Sequence, residues 1–150
     1  MKCRPRPLTL IAATALGGMP LFAQSGAAEE HPSLGARVVG EPFVQDLPGV
    51  ADTVIRITTI AFDPGGAVDA HCHHGSEYGT VTEGTLLVKV GNGDYAPKEK
   101  GKVFAVPALT PMYVKNGSDK PAQLISTLVV DKKHAYLTYM SDKDNDCLKK

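Results

Sequence analysis

The chain has 150 residues, with 16 Lys+Arg against 16 Asp+Glu and five histidines. One compact domain fits that length, which excludes a large multidomain enzyme. The even charge balance gives no basic footprint for nucleic acid.

The first element is a segment for export rather than for the fold. Lys2, Arg4 and Arg6 precede an apolar run without a single charge, Leu8 to Phe22, and Ala23 follows as a small residue. A basic start, a short apolar stretch and a small residue predict a secretory signal over residues 1–23, cleaved after Ala23 or after Ala28. The run is too short for a hydrocarbon core that needs ~20 residues, so the mature protein is expected free of the membrane, secreted or periplasmic. Loss of the signal removes Cys3 and leaves Cys72 and Cys147. In an oxidising compartment these two permit one disulfide, and two free thiols are the alternative.

Residues 24–52 are punctuated by Pro32, Gly35, Gly40, Pro42, Pro48 and Gly49, and are expected as an extended arm. Thr53–Phe62 is rich in β-branched residues and stops at Asp63-Pro64-Gly65-Gly66, which predicts a strand and a tight turn. The same pattern recurs at 78–82, 85–90, 102–106, 112–115, 123–130 and 135–140. Short strands at such intervals predict an all-β sandwich or barrel between residues 53 and 140, with 141–150 as a polar tail. Exposed strands at a barrel edge predict a homodimer, with the arm packed along the barrel or exchanged between subunits.

Three histidines fall in Ala70-His71-Cys72-His73-His74-Gly75-Ser76-Glu77. On a strand, His71 and His73 share a face because the side-chain period is two. Glu77, after the Gly75-Ser76 break, returns a carboxylate toward the same point. Two imidazoles and a carboxylate make a metal site with open positions for a small-molecule ligand. The metal is expected to be a divalent transition ion: iron, manganese, zinc, nickel or copper. The Cys72 thiol is predicted on the other face, and His74 at the surface of the turn.

The spacing Gly65-x5-His71-x-His73-x3-Glu77-x6-Gly84 resembles the first motif of the cupin superfamily at every defined position. Gly101-x5-Pro107, followed by Asn116, resembles the second. The resemblance implies a cupin-type double-stranded β-helix, a small antiparallel β-barrel with its ligand site inside. It implies that Gly65, Gly84 and Pro107 serve the backbone at turns and loop edges. The second motif departs from the family at two positions: Leu109 stands for the usual glycine and Met112 for the usual last histidine ligand. Three outcomes stand open: a three-ligand site of weakened affinity, a softer site with Met112 as fourth ligand, or a site that has stopped binding metal. Tyr113, beside the substituted position, is a candidate for lining the cavity. No further acid or base stands near the cluster in sequence. The functional readings are therefore a metal enzyme, a non-catalytic small-molecule-binding module, or a dimerising protein with a degenerate pocket.

Overall fold

In the computed structural model, residues 34–143, Asn145 and Cys147 are described. The expected signal, residues 1–23, lies outside them. Ten strands follow in order: β1 Ala36–Asp46, β2 Thr53–Phe62, β3 Ala67–Cys72, β4 Gly75–Glu83, β5 Thr85–Val90, β6 Ala96–Glu99, β7 Val103–Val106, β8 Met112–Lys115, β9 Ala122–Asp131 and β10 Thr138–Tyr139. They form two five-stranded antiparallel sheets, β1-β2-β9-β4-β7 and β10-β3-β8-β5-β6. The chain passes repeatedly from one sheet to the other, which is the all-β double-stranded β-helix expected. The two sheets are separate hydrogen-bonded ladders, so the barrel is flattened rather than closed by one continuous ring of strands.

Strict alternation decides which side chains are inside. β9 reads buried, then half-buried, at every step, and its buried set Ala122, Leu124, Ser126, Leu128 and Val130 faces the second sheet. The main core holds Phe62, Val81, Leu86, Phe104, Val114 and Leu124. A smaller cluster of Val54, Leu128 and Val130, with Tyr136 packed on it, lies at the other end. Between them the inner face of β2, β9 and β4 carries Thr58, Ser126 and Glu77, all buried. The functional residues sit in that polar band.

Two ends of the chain depart from the sequence-based expectation. From Ala36 the extended segment is a regular edge strand, paired with β2 of its own chain and interrupted between Val39 and Phe43, where Gly40 takes φ of 74°. The polar end is not wholly loose: Asn145 and Cys147 are buried, and Cys147 is disulfide-bonded to Cys72 with 6.1 Å between Cα atoms. Of the two cysteine states left open, the bridged one is found. Asn116 is structural, its buried side chain donating to the carbonyls of Asp63 and Lys120 and tying the β8–β9 loop to the turn after β2.

Candidate metal centre

A bulge aims the first ligand. Along β3, Val68 pairs with Val114 but His71, not residue 70, pairs with Met112, so one extra residue is inserted at Asp69-Ala70. The insertion exposes Asp69 and Ala70 and returns His71 to the inner face, where it is 4% exposed. Sequence periodicity placed His71 and His73 on one face; the bulge makes that face the inner one. His73 follows directly after β3 and is 5% exposed, its ring edge-on to His71 with centroids 5.0 Å apart. Glu77, third in β4 and 3% exposed, completes the group. The nearest donor atoms of His71, His73 and Glu77 all lie within 4.8 Å of one another.

Each donor is oriented by a hydrogen bond on its far side. His71 Nδ1 donates to the Asp69 carbonyl at 2.6 Å, a carbonyl that the bulge itself presents. His73 Nδ1 donates to the Tyr136 carbonyl. A carbonyl only accepts, so Nδ1 of each ring carries a proton, and Nε2 is the nitrogen that a metal would take. Ser126 Oγ donates to Glu77 Oε1 at 2.6 Å, which leaves Oε2 for the site.

The electrostatics call for a cation. His73 Nε2 and Glu77 Oε2 are 3.2 Å apart, buried, and without a hydrogen-bond partner. The contact is favourable when a proton on the His73 ring or a metal ion lies between the two atoms. Thr58 Oγ1, in the same band and paired across the ladder with Ser126, is also buried and unpartnered. Such groups normally find partners, each orphan being worth about 1–3 kcal/mol. Burial pushes the Glu77 carboxyl up, yet His73, Ser126 and His71 together outweigh it and hold its pKa below the ordinary value. The carboxylate form needed for metal binding is therefore the stable one. Donor chemistry and orphaned atoms both fit a divalent metal.

The other sequence candidates divide. Met112 is the cross-strand partner of His71, on the same inner face and 2% exposed, but it packs within the main hydrophobic core. Tyr113 alternates with it and faces outward, its ring edge-on to Tyr95; it does not line the site. Tyr139, not singled out from sequence, pairs with His71 across β10–β3, and burial, with Asp69 and Asp142, pushes its phenol up to about 12. It stays a neutral phenol. His74 is half-buried, stacked on His134 at 4.0 Å. Cys72, between the two histidines, is buried and bridged to Cys147. Gly65 and Gly84 both take left-handed φ, 73° and 68°, as turn glycines.

Three contributors escaped sequence reasoning: Ser126, the Tyr136 carbonyl and Arg56. Arg56 lies in one cross-strand row with Leu128 and Glu77, hence on the inner face, with its guanidinium 4.3 Å from the Tyr136 ring centroid. Alternation along β2 and β9, once aligned, finds both Ser126 and Arg56; either strand alone does not.

This is the architecture of a small β-helix protein with a two-histidine, one-carboxylate centre. Residues 58–130 match the family model described as Cupin domain. Over those residues the chain is similar to the cupin superfamily. No curated protein matches the sequence. Among solved structures, an oxalate oxidase superposes with a TM-score of 0.56 at 19% identity, over 71% of this chain and 55% of its own. The chain thus spans about half the length of that protein. The TT1209 protein of Thermus thermophilus gives 0.52 at 27% identity, over 63% and 84%. A mutant of Bacillus subtilis oxalate decarboxylase gives 0.50 at 22%, over 57% and 24%.

Proposed function

We propose that this protein is an exported cupin that binds one divalent transition metal through His71, His73 and Glu77 and takes a small anionic molecule at the metal's open positions. The observation that carries the reading is the outward-facing support of every donor. The Asp69 and Tyr136 carbonyls and the Ser126 hydroxyl turn two imidazole nitrogens and one carboxylate oxygen toward one point. Iron, manganese, zinc, nickel and copper all accept such a set. When bound, the metal supplies a Lewis acid that polarises a coordinated oxygen. Arg56 supports an anionic ligand: it faces the same interior, and among the described residues it has no hydrogen bond or ion pair, only the Tyr136 ring. The basic, then apolar, N-terminus and the Cys72–Cys147 bridge support export, since disulfides persist in oxidising compartments.

A second reading, a non-catalytic cupin with a degenerate site, draws on Met112, whose place in the hydrophobic core removes the fourth donor. One measurement separates the two. Elemental analysis of protein purified from its native envelope fraction, before and after dialysis against chelator, is expected to show one metal per chain that returns on reloading. Metal-free protein that takes up none of the five ions, aerobically or reduced, rejects the first reading.

A further inference from the structure

Arg56 is a cation on the inner face without a counter-ion. Its guanidinium rests over the Tyr136 ring, and among the described residues it has no hydrogen bond or ion pair. The acids at this end of the sandwich are taken. Asp46, two residues along β1 from the Val44 that opposes Arg56, is held by Lys132 at 3.0 Å, and Asp52 is held by Lys133. Glu77 is the only buried acid among the described residues, and it belongs to the metal centre. A divalent ion there keeps one positive charge after Glu77 is counted, since a metal-bound imidazole is neutral, and Arg56 adds a second. Charges held inside a protein need partners, so the loaded interior calls for a ligand with two negative ends.

The sheet sets the spacing of those ends. Arg56, Leu128 and Glu77 form one inner cross-strand row, in that order. Adjacent strands lie ~4.8 Å apart, which puts ~10 Å between the Arg56 and Glu77 backbones. Leu128, 5% exposed, stands between the two charges and offers methyl groups rather than donors. At the next inner position of β2, Thr58 keeps a buried hydroxyl without a partner, on the same face as Arg56. We propose that this row is a ligand subsite for a short dicarboxylate with an apolar spacer. One end lies on the metal, the methylenes lie over Leu128, and the other end lies on the Arg56 guanidinium and the Thr58 hydroxyl. A guanidinium matches a carboxylate through two parallel N–H donors. The Thr58 hydroxyl gains the acceptor that it lacks in the free protein. The inference rests on metal binding at His71, His73 and Glu77, and it names the ligand class that the open positions of that metal would take.

Calorimetric titration of the zinc-loaded mature protein tests it. The probes are succinate and glutarate, set against butyrate, which has one carboxylate, and inorganic phosphate, which has no spacer. The better dicarboxylate is expected to bind about a hundredfold tighter than butyrate or phosphate. Arg56→Gln, loaded to the same metal content, is expected to lose that advantage and to bind butyrate as the wild type does. Arg56→Lys keeps the charge but not the fork, and is expected to lose about tenfold. Thr58→Val is expected to weaken dicarboxylate binding about tenfold and to raise Tm, because it removes a buried orphan. A hydroxyl that served only the fold would lower Tm when removed. Dicarboxylates held no tighter than butyrate overturn the inference, as does an advantage that survives both Arg56 substitutions. Phosphate held as tightly as the dicarboxylate, with the same dependence on Arg56, also overturns it. In each of these cases zinc is bound and the metal reading stands, whereas protein that takes up none of the five ions removes both.

Discussion

The β3–β4 hairpin and the β7–β8 connection are the two halves of the motif pair, and they have diverged differently. In the first half every donor keeps its support: a bulge aims His71, a carbonyl orients each histidine, and Ser126 holds Glu77. In the second half the strand register is kept, and the residue opposite His71 is a methionine. Met112 still opposes His71 in register, but its thioether belongs to the packed core. Leu109 still takes the left-handed turn, φ 56°, although it is not glycine. The contrast shows that the scaffold of a ligand position and the donor atom on it are separable. Strand register follows from hydrophobic alternation and turns, whereas the donor depends on one side chain.

The comparison is broken most completely by exchanging the two roles under mutation. His73→Ala removes one of three donors and is expected to abolish metal uptake, read by titration calorimetry on chelated protein. Met112→Ala is expected to leave uptake in place and to lower stability instead, by about 2–4 kcal/mol, as a buried methionine emptied into a cavity. Metal loss in Met112→Ala would make the thioether a ligand and erase the contrast.

The next largest effect concerns the disulfide that anchors the first half. Cys72 lies between His71 and His73, and the bridge to Cys147, 75 residues on, secures the segment whose Tyr136 carbonyl orients His73. Cys147→Ser is expected to lower unfolding free energy by about 2–4 kcal/mol in urea melts. It is also expected to weaken metal binding, because β10 pairs directly with Cys72 and His71. Unchanged affinity in a destabilised variant would limit the bridge to stability alone.

The same contrast governs what the sequence made legible. Strands β2, β5 and β8 have the boundaries that β-branched runs and turn residues predict, and the ligand spacing is readable because i, i+2 parity is local. β1 and β6 were hidden by Gly40, Pro42 and Pro97, which argue against strands in isolation but are tolerated at sheet edges, where both strands lie. The Asp69-Ala70 bulge, Ser126 and Arg56 were not readable. Each acts through a cross-strand partner, and register between distant strands is not written in either one alone.

Restoring the missing donor sharpens the comparison. Met112→His puts an imidazole opposite His71 on the inner face and is expected to tighten metal binding by about tenfold or more, if a neighbouring acceptor fixes the new ring. Ser126→Ala acts on the intact half and is expected to weaken binding by about tenfold, the usual effect of losing a partner behind a ligand. Its pH dependence has a definite sign. Glu77 is held below its ordinary pKa, so its ionised interactions stabilise the fold above the ordinary carboxylate range and are lost as pH falls through the lowered value. Without the Ser126 hydrogen bond that value rises, and acid-induced loss of stability and of metal is expected to begin at higher pH than in wild type. Coincident acid transitions would show that Ser126 does not tune the carboxylate.

The smallest effect is the most direct reading of the second half. Leu109 is 37% exposed, so its side chain contributes little burial, while its backbone N–H donates to the His73 carbonyl at 2.9 Å. Holding an L-residue in the left-handed region costs about 1–2 kcal/mol. Leu109→Gly removes that strain and keeps the hydrogen bond, against a greater loss of chain entropy on folding of about 0.5–1 kcal/mol. A net gain of about 0.5–1 kcal/mol is expected, seen as a rise of a few degrees in Tm by calorimetry, with metal affinity unchanged. The gain would mean that the turn over His73 is kept in spite of its side chain. A loss would mean that Leu109 packs over the site and has replaced the glycine for its contacts.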